Sequence, residues 1–312
     1  MKILVPTSTT LDLAADPDLE VVGYDPSEPF DDGQLDAEVL IAWNNSADNL
    51  ADAAARLHKL RLVQTLAAGP DAVVAAGFGD DVAIASGRSL HDGPVAEHTL
   101  ALILAAVRRF DELFEAQQQH TWLSDYARAQ AAPGTHQHFT LDGATVVVWG
   151  FGSIAGRLAP LLRMLGADVT GVAHTAGIRY GFDVVAADAL GDLLGRTDVL
   201  VSLLPGSPET RDTYDAAFFA ALKPGAVFVN AGRGATVDET ALIAALTDGR
   251  LRVAALDVTK TEPLPADSPL WETPGVILTP HIAGGRPQGA SRLVLENVRA
   301  LRTGGELTNR VT

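Results

Sequence analysis

Short runs of consecutive apolar residues alternate along this chain with longer stretches whose apolar positions recur every three or four residues. The runs ILV at 3–5, VLIA at 39–42 and RLVQTL at 61–66 read as strands, and the amphipathic ADNLADAAARLHKL at 47–60 reads as a helix between two of them. From Thr145 to Thr279 the alternation becomes regular: TVVVW, a helix over 153–165, VTGVA, VLVSLL, AVFVN, a helix over 238–247, VAALDV and VILT. Nearly continuous apolar strands separated by helices indicate parallel sheets covered on both faces.

GRSLHDGP at 87–94 separates the two series. Beyond it, Pro94 and the spacing of Val95, Thr99, Leu102, Ala106, Phe110 and Leu113 predict one long helix with Pro at its first position. A linker entering a helix marks a domain boundary. The last helix, from about 289 to 301, has Leu293, Val294, Val298 and Leu301 on one side and is free to return to the first domain. The expected fold is therefore α/β with two Rossmann-like domains and doubly wound parallel sheets, divided as 1–90 plus 286–312 and 91–285.

Composition removes whole classes of chemistry. The absence of cysteine excludes disulfides, thiolate catalysis, Cys-ligated zinc and iron–sulfur clusters. With 39 Asp and Glu against 23 Lys and Arg the formal charge is −16, which disfavours nucleic acid and anionic membranes as partners. The apolar run before Pro6 is too short for a signal peptide, and LALILAAV at 100–107 is far below membrane-spanning length, so the cytoplasm is the expected compartment. His136 and His138 have no nearby Cys or paired acid, and no metal site is expected.

TVVVW runs straight into GFGSIAG at 150–156 and then into a helix, the order that a dinucleotide site needs. Gly150 allows the tight turn, Gly152 lets backbone approach a pyrophosphate, and Ala155 is the small residue against the strand. The helix start, at Ser153 and Ile154, offers free N–H groups and the positive end of the helix dipole. An NAD site places Asp or Glu about 20 residues after the first glycine, for the ribose hydroxyls. Here Ala173, His174 and Thr175 stand at that place. His174 and Thr175 can hydrogen-bond a 2′-phosphate, and Arg179 can neutralise it if the loop folds back. NADP(H) is therefore the preferred cofactor, with NAD(H) as the alternative.

With these motifs laid out, the chain resembles the D-isomer-specific 2-hydroxyacid dehydrogenase family over nearly its whole length. The resemblance is carried by LVQTLAAGPD at 62–71, GPVAEHTLALIL at 93–104, GFGSIAG, LVSLLPGSPETR at 200–211, NAGRG at 230–234, LDVTKTEPLP at 256–265 and PHIAGG at 280–285. It implies a catalytic Arg, Glu and His, which fall on Arg233, Glu262 and His281. It also implies an active site in an interdomain cleft, with backbone amides near Ala68 and Gly69 holding the substrate carboxylate. Pro70 removes one such amide. Leu204, Pro205 and Thr210 would border the adenosine, Ala231 and Gly232 the nicotinamide ribose, and Asp257 the carboxamide, while Gly284 would let backbone pass close to the ring. A homodimer, through the helix after Pro94 and the 115–135 segment, is also implied.

The chemistry asks for the same set. Reducing a small 2-keto acid to the D-2-hydroxy acid requires hydride delivery, a proton for the growing alkoxide and a cation for the carboxylate or carbonyl oxygen. His281 can hold and release the proton, Glu262 beside it would orient the ring and favour its charged form, and Arg233 presents a planar fork of donors. Alternatives are a dinucleotide-sensing scaffold without turnover, and a formate, phosphite or 3-phosphoglycerate dehydrogenase.

Overall fold

A computed structural model describes residues 1–312, the side chain of His136 apart, so the His136–His138 pair lies partly outside what is described. The chain separates into two units, residues 1–91 with 285–312 and residues 92–284.

The first unit is a five-stranded parallel sheet of β1 (Lys2–Pro6), β2 (Glu20–Tyr24), β3 (Val39–Ala42), β4 (Leu62–Thr65) and β5 (Ala83–Ala85), in the order β2-β1-β3-β4-β5. Strands β2 and β5 are additions to the sequence reading. The first is an exposed edge that lacks a continuous apolar run, and the second has only three residues. Alternate strand residues serve opposite faces. Ile3, Val39, Ile41 and Leu62 meet Leu293, Val294 and Val298 of the closing helix Ala290–Thr303, while Leu4, Leu40 and Val63 meet Leu50 and Ala53 of the helix Ala47–Arg56. Two buried amides inside this unit pair with each other and with backbone: Asn297 donates from Nδ2 to Gln64 Oε1 (2.6 Å), and Gln64 Nε2 donates to the carbonyls of Thr65, Ala85 and Ser86.

The second unit has eight strands: β6 (Thr145–Trp149), β7 (Asp168–Ala173), β8 (Gly177–Arg179), β9 (Phe182–Ala186), β10 (Val199–Ser202), β11 (Ala226–Asn230), β12 (Leu251–Leu256) and β13 (Val276–Leu278). Their order is β13-β12-β11-β10-β6-β7-β9-β8, parallel except for β8 against β9. From β6 the chain builds outward to β7 and β9, then returns to place β10 on the other side of β6. That reversal is the topological switch point, outside whose strand ends ligands bind in open α/β sheets. The helices Asp92–Val107 and Ser153–Met164 cover one face, and Phe219, Leu242 and their neighbours cover the other.

Two expectations change here. The stretch after Ala173 is an antiparallel hairpin at the sheet edge, not a plain loop. The long helix after the linker starts at Asp92, ends at Val107 and is followed by a separate helix, Phe110–Gln118. Between them Arg109 adopts φ 51°, and its guanidinium binds Asp111 and Glu112 of the new first turn. No helix among the described residues is long and apolar enough to cross a membrane.

Candidate active site

At the switch point β6 ends in Gly150, whose φ of 97° and whose approach to the next loop both demand glycine: a Cβ there would fall 2.5 Å from the carbonyl oxygen of Leu203. Gly152 caps the helix Ser153–Met164, no side chain closes that helix end, and the space a Cβ at Gly152 would take is open to 4 Å. Ala155 is fully buried beneath it. An uncapped helix start behind a glycine turn, with open space before it, fits the pyrophosphate of a dinucleotide.

Beyond β7 stand Ala173, His174 and Thr175, with no carboxylate among them. The chain does fold back: Arg179 Nη2 donates to Thr175 Oγ1 (2.6 Å) and to its carbonyl oxygen (3.1 Å). Beyond β10, Leu204 is buried, and Thr210 closes the following loop by donating to the Pro205 carbonyl (2.7 Å) while accepting from the Ser207 N–H.

The ends of β11, β12 and β13 carry the chemical groups. Asn230, fully buried at the end of β11, staples the turn that follows. Its Oδ1 accepts from the Gly232 N–H (3.0 Å) and its Nδ2 donates to the Arg233 carbonyl (3.2 Å). Arg233 Nη1 donates to the Gly232 carbonyl (2.8 Å), leaving the rest of the guanidinium for another acceptor. The next residue, Gly234, lies against the loop beyond β12: a Cβ there would come 1.9 Å from the Thr259 carbonyl oxygen. Thr259 in turn donates its N–H to Glu262 Oε1 (3.0 Å). The other carboxylate oxygen, Oε2, lies 2.6 Å from His281 Nδ1. An ionised carboxylate only accepts, so Nδ1 carries the hydrogen and Nε2 is the nitrogen left for proton transfer. Behind this pair is a cavity of about 550 Å³ walled by Leu264, Trp271 and Leu278, and Trp271 Nε1 donates to the Pro265 carbonyl.

His281 sits at φ 51°, in a region few non-glycine residues occupy, so something must hold it there. Asp257 does. Its carbonyl accepts the His281 N–H (2.8 Å), its Oδ1 accepts from the Ile282 N–H (3.0 Å) and the Thr279 hydroxyl (2.6 Å), and its Oδ2 accepts from the Ala283 N–H (3.1 Å). His98, on the helix Asp92–Val107, reaches Thr279 Oγ1 at 3.0 Å and Asp257 Oδ1 at 3.3 Å. Since the Thr279 hydrogen goes to Asp257, His98 Nε2 is the donor in this network.

Comparison with known proteins gives this arrangement a family. The family model described as "D-isomer specific 2-hydroxyacid dehydrogenase, NAD binding domain" matches residues 100–283. The chain belongs to this family. It is 35% identical over 262 residues to a D-3-phosphoglycerate dehydrogenase of Mycobacterium bovis, covering 81% of this chain and 47% of that protein. Thus it spans about half the length of the curated relatives it matches first. Identity to glyoxylate/hydroxypyruvate reductase A of Citrobacter koseri is 33%, over 69% of this chain and 66% of that one. Among solved structures, a D-isomer-specific 2-hydroxyacid dehydrogenase from Xanthobacter autotrophicus Py2, in complex with NADPH and MES, superimposes with a TM-score of 0.80 at 30% identity, covering 100% of this chain and 97% of that one.

In this family member, Glu262 and His281 are in direct contact, and Arg233 joins them through the contact of Gly234 with the Thr259 loop. Gly150, Gly152, Ser153, Ile154, His174, Thr175, Arg179, Leu204, Pro205, Thr210, Ala231, Gly232, Asp257 and Gly284 all belong to the same unit. Both carboxylate oxygens of Asp257 accept bonds from the turn that carries His281. Ala68 and Gly69 belong to the other unit, in the loop beyond β4. There His91 Nε2 bonds the Leu66 carbonyl (2.7 Å), the Gly87 N–H donates to the Ala67 carbonyl (2.8 Å), and Trp43 stacks on His91 with ring centroids 5.4 Å apart. Asn230, Thr279 and His91 escaped the sequence reading, and only Asn230, at the head of NAGRG, stood inside a motif that could have exposed it.

Proposed function

We propose that this protein reduces a small 2-keto acid to the D-2-hydroxy acid, with NADPH as the preferred hydride donor. The reading is carried by the Glu262–His281 pair, held at the strand rim of a sheet whose glycine turn and open helix start fit a dinucleotide. The bound nicotinamide supplies the hydride. His281, as imidazolium, gives its Nε2 proton to the carbonyl oxygen as that oxygen becomes an alkoxide, and Glu262 compensates the ring's charge. Arg233 holds the carboxylate or polarises the ketone. In the oxidative direction neutral His281 accepts the hydroxyl proton.

NADPH is favoured over NADH by the absence of an acid after β7 and by Arg179 folded onto Thr175. Ala231 and Gly232 would meet the nicotinamide ribose, and Leu204, Pro205 and Thr210 the adenosine. Exposed Phe110, Phe114 and Trp122 support a homodimer built on the 110–131 segment. Consumption of NADPH with glyoxylate, hydroxypyruvate or phenylpyruvate should fall by orders of magnitude in His281→Ala, by about 10²-fold or more, and sharply in Arg233→Ala. Unchanged turnover in both variants would remove the mechanism. The 35% identity to a D-3-phosphoglycerate dehydrogenase favours one second reading. Preferential oxidation of 3-phosphoglycerate would move the assignment there, and tight cofactor binding without any turnover would leave a dinucleotide-sensing scaffold.

A further inference from the structure

The hairpin of β8 and β9 turns through two residues, Tyr180 at φ 52° and Gly181 at φ 79°. Two positive values make a type I′ turn, whose first place suits Asn, Asp or Gly. A tyrosine is disfavoured there, so its side chain should be the reason for it. That ring lies on the first turn of the helix behind the glycine loop: a Cβ at Gly156 would meet the ring's Cγ at 2.7 Å and its Cδ atoms at 2.8 Å. Only glycine at 156 admits the contact. Yet Tyr180 remains 59% exposed, so the packing fixes the ring in place without burying it as core.

Register explains what the contact achieves. Arg179 pairs directly with Phe182, so both side chains leave the same face of the hairpin. Phe182 is buried on that face, against Phe151 and beneath the guanidinium of Arg163. Arg179 therefore rises along the helix-covered side, where its Nη2 reaches Thr175 at the end of β7. Among the described residues its bonds are made by Nη2 alone. The one acid of the hairpin, Asp183, pairs with Ile178 and points to the opposite face.

We propose that Tyr180, seated on Gly156, is a positioning residue that sets Arg179 against the ribose 2′-phosphate of the cofactor. This rests on the NADPH reading above. The ring latches the hairpin to the helix that binds the pyrophosphate, so one rigid piece presents helix N–H groups to the diphosphate and a guanidinium to the 2′-phosphate.

The test is equilibrium binding of NADP⁺ and NAD⁺ to the full chain, by calorimetry. Tyr180→Asn keeps a residue suited to the turn and removes the ring, Gly156→Ala displaces the ring, and Arg179→Gln removes the charge. Each should weaken NADP⁺ by about tenfold, the size expected for losing a charge-assisted hydrogen bond, and leave NAD⁺ within about twofold. Tyr180→Phe should restore the wild-type ratio, and thermal melts of each variant show that the fold persists. Equal weakening of both cofactors, or an unchanged ratio in Tyr180→Asn, would overturn the positioning role. A wild-type protein that favours NAD⁺ would instead overturn the NADPH reading beneath it.

Discussion

At the scale of single residues, His281 is defined by what its other nitrogen does. Glu262 takes the Nδ1 hydrogen, Thr259 fixes Glu262 from behind, and Asp257 fixes the backbone, so the ring has one free nitrogen with a settled direction. Asn230 does the same for Arg233 from inside the core. Asn230→Ala strands the Gly232 N–H, which costs about 1–3 kcal/mol, while the Arg233 carbonyl keeps the Thr236 hydroxyl. A melting temperature lower by about 2–10 °C is expected from calorimetry, with turnover at least about tenfold lower, while Asn230→Asp keeps the Gly232 bond and recovers part of both. Arg233, Glu262 and His281 could be nominated from the sequence because each lies within a motif beyond a strand. Thr279 could not, since its bond to His98 joins positions 181 residues apart and a lone threonine has no chemistry that stands out.

Among the elements, the long apolar strands were legible and the short or half-exposed ones were not. β10, β11 and β12 are buried on both faces and announce themselves as apolar runs. β8 has three residues of which two are exposed, and its place is set by pairing with β9, which no local pattern encodes. The break at Arg109 was hidden for a related reason: the apolar spacing continues through it, and the left-handed backbone of Arg109 and its bonds to Asp111 and Glu112 mark the new helix. The closing helix shows an element whose docking is tied by charge as well as by packing. Arg302 Nη1 lies 2.6 Å from Asp16 Oδ2, and this hydrogen bond holds the Asp16 carboxyl below its ordinary range. A depressed carboxylate adds stability that is present above its unfolded value near pH 4 and is lost as pH falls through its folded value. Asp16→Asn should therefore lower the midpoint of urea unfolding slightly at neutral pH and leave the midpoint near pH 2 unchanged.

For the molecule as a whole, charge and site oppose each other. The formal −16 would repel the anionic cofactor and keto acid of the proposed reaction at a distance, while Arg179 and Arg233 would attract them on contact. Salt screens the distant term first, because its range is set by the Debye length. The association rate of NADPH in stopped-flow measurements should thus rise as ionic strength goes from about 10 to about 150 mM, the reverse of an electrostatically steered site. A rate that falls throughout would show that local basic residues dominate even the approach.

The order in which the chain is made gives the split first unit a further meaning. Its sheet comes entirely from residues 1–91, but Leu293, Val294 and Val298, which cover one face of that sheet, are synthesised only after residues 92–284. Residues 92–284 form a continuous unit that can complete its own core on the ribosome, while Ile3, Val39, Ile41 and Leu62 must wait with one side uncovered. The sheet of the first unit therefore keeps one apolar face open until the whole of the second unit has been made.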